Sequence, residues 1–168
     1  SDKGVRFVNR HIFVARIKKM LSKTSQPGIK AMICITRNSI KGERISISDV
    51  ASKIKTPVAY TSKIIQRLVK AGMVQSKKGT SGGFYIDNRQ MNKVTVWDVV
   101  SELDGGSIKY GCILGLDACS SQNPCPVHNE YKPVRIQLIR FLENTSLANL
   151  ANKVSNGEGN LIMNLNSI

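Results

Sequence analysis

The stretch Ser46–Ile86, SISDVASKIKTPVAYTSKIIQRLVKAGMVQSKKGTSGGFYI, decides the fold. Ser46 with Asp49 forms a capping-box pattern, with Asp in place of the usual Glu. Ile47, Val50, Ala51 and Ile54 then recur at i, i+3, i+4 and i+7, one face of a helix. A break at Lys55-Thr56 precedes Pro57, which predicts Thr56 as an N-cap with proline at the first helical position. The second helix spans Val58 to Ala71, with Ile64, Ile65, Leu68 and Val69 as its buried stripe and Gly72 closing it. Ser62, Lys63, Gln66, Arg67 and Lys70 occupy its other face. Two short helices across a tight turn, the second basic outside, predict a helix-turn-helix. Met73–Ile86 then reads as strand, glycine-rich turn and strand, the wing of a winged helix.

Charge agrees with a polyanionic partner. The 168-residue chain carries a net +14, unevenly spread. Residues 1–93 hold 20 lysines and arginines against four acids, and residues 94–168 hold five against seven. A basic half beside a near-neutral half suggests nucleic acid on one side and a different task on the other. Lys63, Arg67, Lys70, Lys77 and Lys78 are expected to neutralise phosphates. Tyr60, Thr61, Ser62 and Lys63, on the leading turn, are expected at base edges in a major groove. The wing tip, Thr80, Ser81, Gly82 and Gly83, is expected at the backbone or minor groove.

Working outward, Pro27 opens an apolar segment, residues 27–38, read as a buried helix with Cys34 as a small core residue. Residues 1–19 read either as a leader outside the fold or as a native basic arm on DNA. Thr95 caps a helix with Val96, Val99, Val100 and Leu103 inward, ending at Gly105-Gly106. Pro133 is expected to start a longer helix carrying Val134, Leu138, Phe141 and Leu142, a dimerisation candidate. A short helix follows from Thr145 or Ser146, then a tail from Ser155. The expected organisation is a leader (1–19), a winged helix-turn-helix (20–104), a cysteine-rich sensing loop (105–131), a dimerisation region (132–154) and a tail (155–168). The fold class is mainly α with a small β-wing.

The remaining signal is CILGLDACSSQNPCPVH, where Cys112, Cys119, Cys125 and His128 fall within 17 residues. Such donors can converge on a metal or an iron–sulfur cluster. The gaps of six, five and two residues lack the short paired knuckle of structural zinc. They leave three readings open: a cluster held by thiolates with one imidazole, a zinc site, or a thiol redox switch. Four cysteines in all, three of them clustered, argue against a disulfide scaffold and for a reducing cytoplasm. No apolar run approaches the ~18 residues a membrane span needs. Two histidines, with His11 in the leader, and no acid–base pair at the cysteines beyond Asp117 and Glu130 argue against an enzyme.

Together, ITRNSIKGERISISDVASKIKTPVAYTSKIIQRLVKAG, the wing MVQSKKGTSGGFYI and the cysteine loop resemble the Rrf-two family of bacterial winged-helix transcription regulators, with its IscR-like and NsrR-like branches. The resemblance covers Met20 to Val154. It implies an intertwined homodimer on palindromic promoter DNA and an iron–sulfur cofactor on Cys112, Cys119 and Cys125, absent from some members and from aerobically handled protein. In IscR-like members a histidine just after the third cysteine is the fourth ligand, and His128 falls there. NsrR-like members instead use an N-terminal aspartate and carry 4Fe–4S. No acid lies between Met20 and Glu43, which points to His128 and 2Fe–2S. The first gap departs from the IscR-like five by one residue.

Overall fold

The computed structural model describes residues 21–161. The leader of residues 1–19, with His11, and the last part of the tail lie outside the described residues. Seven α-helices and one two-stranded sheet are described.

Helix α1 (Ser25–Ile40) is the central post. Ala31, Met32, Ile33, Cys34 and Ile35 are buried along it, so the continuous apolar run reflects burial on several sides rather than one stripe. It packs against the two helices that follow it, the second wing strand, the helix at Val96–Asp104 and the C-terminal short helix. Cys34 is 2% exposed, as the core reading expects, and burial pushes its thiol up.

Helices α2 (Ile47–Ile54) and α3 (Val58–Lys70) form the helix-turn-helix. Ser46 caps α2 by accepting the Asp49 amide. The reciprocal leg differs from a full box, because Ser46 Oγ donates to Asp49 Oδ2 at 2.6 Å. The break is made by Lys55 in the left-handed region. The N-cap of α3 is Pro57, not Thr56, whose hydroxyl turns back to the Ile54 carbonyl. Buried Ile64, Ile65 and Leu68 match the predicted stripe.

The wing is β1 (Gln75–Lys77) antiparallel to β2 (Gly83–Tyr85), with Ser76 opposite Phe84. Ile45 adds a bridge to Phe84 through two backbone bonds of 3.1 and 2.9 Å, so the hairpin is sewn to the start of α2. Gly83 needs its missing side chain there: φ is 136°, and a Cβ would lie 2.8 Å from the Ile45 carbonyl oxygen.

After a single turn, α4 (Asn88–Met91), comes α5 (Val96–Asp104), opened by a full capping box between Thr95 and Asp98. A 3₁₀ turn (Ser107–Lys109) leads into the cysteine loop. Helix α6 begins at His128 and runs to Asn144, correcting the expected start at Pro133. Pro133 lies inside it, and the helix tolerates the lost hydrogen bond near its N-terminus. Helix α7 (Leu147–Ser155) is capped by Ser146. Backbone bonds from Val96 to Thr145 and from Leu147 to Val94 tie its start to that of α5. No described helix is long and apolar enough to cross a membrane.

Candidate functional site

The three loop cysteines converge. Their sulfurs all lie within 4.8 Å of one another, with Cys112 Sγ and Cys125 Sγ at 3.5 Å. Local turns bring this about. The Gly115 amide bonds to the Cys112 carbonyl, and the Cys119 amide to that of Leu116, so each gap is folded back. The Cys125 carbonyl takes the His128 amide at the mouth of α6. His128 Nδ1 reaches Cys119 Sγ at 3.2 Å, although the mutually close group comprises the three thiols alone. All four side chains are half-buried on an otherwise exposed loop. Arg135 of α6 holds the loop's entry by donating to the Gly111 carbonyl at 3.1 Å.

The thiols are electrostatically unequal. Hydrogen bonding from the Leu116 backbone lowers Cys112 to about 7, with Leu114 and the neighbouring thiols adding to it. Desolvation raises Cys125. In reduced, metal-free protein at pH 7, iodoacetamide therefore modifies Cys112 ahead of Cys125. Both rates fall together below pH 7, and the lead is lost as pH rises above 9 and Cys125 also becomes a thiolate. Peptide mass spectrometry of a pH series measures both effects.

Three soft donors and an imidazole on one accessible loop fit a thiophilic metal ion or an iron–sulfur cluster. The residues that would hold it are Cys112, Cys119 and Cys125, with His128 at their side.

On the basic face, Lys63, Lys70, Lys77, Lys78, Thr80 and Ser81 are exposed, and Ser62, Gly82 and Gly83 are half-buried. A groove of about 650 Å³ runs between α3 and the wing, lined by Gln66, Lys70, Lys77, Lys78 and Thr80 among others. Of the other expected contacts, Thr61 is buried, while Tyr60 and Arg67 stay exposed but are engaged by carbonyls within the chain. Thr61 is completely buried, and its hydroxyl donates to the Pro57 carbonyl at 3.0 Å, so it is a core residue and not a base reader. Tyr60 reaches back to the segment just before α1, where its hydroxyl donates to the Lys23 carbonyl at 3.1 Å. Arg67 donates to the carbonyls of Glu102 and Leu103. The exposed positions of α3 are Val58, Ala59, Tyr60, Lys63, Gln66, Arg67 and Lys70. Gln66 lines the groove and Arg44 borders the wing tip, and neither is among the expected contacts. Arg44 lies over Tyr85 at 5.2 Å and donates to the wing-tip carbonyl of Ser81 at 3.2 Å. Its only sequence signal is its place beside Ile45, whose pairing with Phe84 is visible only in the fold.

This arrangement defines a winged helix-turn-helix protein with a three-thiol loop between its DNA-binding unit and a long helix. Residues 21–153 match the Rrf2 family, described as iron-dependent transcriptional regulators, and the chain belongs to that family. An HTH-type transcriptional regulator of Aquifex aeolicus is 32% identical over 126 residues, 73% of this chain and 86% of the relative. The regulator IscR of Escherichia coli is 26% identical over 132 residues, 79% of this chain and 80% of IscR. Among solved structures, CymR, the global cysteine regulator of B. subtilis, superposes with a TM-score of 0.66 at 20% identity, covering 79% of this chain and 95% of that one. T. potens IscR gives 0.65 at 20% identity, over 85% and 93%. These last two likenesses speak to the fold.

Proposed function

We propose that this transcriptional regulator binds promoter DNA as a cytoplasmic homodimer and reports iron–sulfur status, redox state or nitric oxide through its cysteine loop. The carrying observation is the gathering of three sulfurs within 4.8 Å at the junction between the winged helix and α6. The reading assigns Cys112, Cys119, Cys125 and His128 as ligands of a 2Fe–2S cluster. Bound there, the cluster supplies iron–thiolate bonds that oxidants and nitric oxide break. The loop's own part is mechanical. It joins α5 to α6, so ordering or releasing it biases how the DNA-binding unit sits on that helix. Helix α6 supports the dimer: of its residues only Leu142 is buried, while Val134 and Phe141 are 56% and 59% exposed.

On DNA, the reading places Lys63, Lys70, Lys77 and Lys78 at phosphates, Ser62 and Lys63 towards the bases, and Thr80–Gly83 at the adjoining backbone. A second reading, a disulfide switch without a cluster, is favoured by the 3.5 Å approach of Cys112 to Cys125 and the low Cys112 pKa.

Anaerobic purification followed by iron and sulfide analysis separates the two. The wild-type protein takes up iron with sulfide and shows visible charge-transfer absorption, and its DNA affinity changes on loading. A Cys112→Ala/Cys119→Ala/Cys125→Ala variant takes up none. Equal iron in both, with identical DNA binding, sinks the cluster proposal; a Cys112–Cys125 disulfide that alone shifts DNA affinity establishes the second reading.

A further inference from the structure

We infer that Arg67 is the positioning residue through which the recognition helix and the cysteine loop are energetically coupled. The inference rests on the sensing role given to the loop above. Arg67 lies in the last turn of α3, and its guanidinium spans to the end of α5. One nitrogen donates to the Leu103 carbonyl at 3.1 Å and the other to the Glu102 carbonyl, with the Glu102 carboxylate at 3.8 Å. The last carbonyls of a helix have no partner within it and form its negative end. Among the described residues neither carbonyl takes a backbone N–H, so Arg67 is what satisfies them. A planar fork can hold two carbonyls at once, which an ammonium cannot do with the same geometry.

The chain leaves α5 through Gly105 and Gly106, both left-handed with φ of 67° and 68°. Two consecutive left-handed residues set a sharp exit, and an Ala at either is strained. The 3₁₀ turn follows, and Lys109 ion-pairs with Glu143 of α6 at 3.1 Å while its ammonium sits 4.5 Å from the Trp97 ring centre. Gly111, held by Arg135, comes next, and then Cys112. The end of α5 is therefore a node, gripped by α3 on one side and by the loop and α6 on the other. Movement of this node shifts the anchors of Arg67. Lys63 and Lys70 lie one turn to either side of Arg67, on the outer face of the same helix, and move with it.

Trp97, the only tryptophan, reports on the node. The test uses full-length protein with Arg67→Gln and Arg67→Lys, each checked for cooperative melting. In metal-free protein, titration with promoter duplex changes Trp97 fluorescence in wild type and leaves it unchanged in R67Q at saturating DNA. Separately, the ratio of DNA affinities between protein reconstituted with iron and sulfide and metal-free protein is measured. Coupled sites typically show a ratio of about 5–150-fold. R67Q brings it close to one, and R67K lowers it by at least about threefold, because the fork is lost while the charge stays. A merely structural Arg67 weakens both states equally and leaves the ratio alone. A wild-type ratio, or a wild-type Trp97 response, in R67Q overturns the inference; should R67Q not fold, a full wild-type ratio in R67K does so. If the wild-type ratio is itself one, the sensing reading fails, and an Arg67-dependent Trp97 response then still establishes the coupling.

Discussion

Replacing Lys63, Lys70, Lys77 and Lys78 together by alanine lowers affinity for promoter DNA by about a thousandfold at 0.15 M salt. All four are exposed, and none takes part in an ion pair among the described residues. Each phosphate contact releases counterions and contributes about −0.9 to the slope of log affinity against log salt. Losing four contacts flattens that slope by about 3.6, which at 0.15 M amounts to roughly three decades. The lysines stand away from the core, so melting should be unchanged. Fluorescence anisotropy at four salt concentrations measures both the affinity and the slope. An unchanged slope would remove this face from the DNA interface. Replacing Lys132 and Lys153, which lie on α6 and α7, is the control.

The second large effect separates two neighbours on α6. Leu142 is 1% exposed and is the only buried residue of that helix, whereas adjacent Phe141 is 59% exposed. Leu142→Ala removes the anchor and leaves a cavity, at a cost of about 2–5 kcal/mol. At roughly 2–4 °C per kcal/mol for a chain of this size, melting falls by about 10 °C. Phe141→Lys leaves the monomer's packing alone but places a charge on the apolar surface proposed to meet a second copy. Its expected effect is a dimer dissociation constant raised at least about tenfold, with melting of the monomer unchanged. Calorimetry and analytical ultracentrifugation on both variants read the contrast. A wild-type protein that sediments as a monomer at micromolar concentration would refute the homodimer.

The helix-turn-helix and wing were legible because their signals are local. The Ile47–Ile54 and Ile64–Val69 spacings and the Ser46, Thr95 and Ser146 caps depend on residues within a turn or two of each other. The three cysteines were legible as a set, since proximity in sequence sufficed to bring them together. What sequence could not show depended on other elements. Thr61 and Arg67 look outward by charge and polarity, yet Thr61 satisfies its own hydroxyl on Pro57 and Arg67 meets carbonyls 35 and 36 residues away. Tyr60 likewise finds a backbone partner on a distant segment. Pro133 reads as a first helical residue because proline is favoured there. The turn before it forms anyway, with the Tyr131 amide bonded to Val127 and the His128 amide to Cys125.

That proline leaves α6 with a joint. Lacking an N–H, Pro133 cannot donate to the Asn129 carbonyl, so the hydrogen-bond ladder has a missing rung between the His128 turn and the rest. Cooperativity in a helix travels along that ladder. The first turn is therefore held to the segment fixed by Leu142 by one bond fewer than an unbroken helix supplies. His128 is carried on this more weakly tied first turn, so the imidazole beside Cys119 sits at the part of α6 with the fewest ladder bonds behind it.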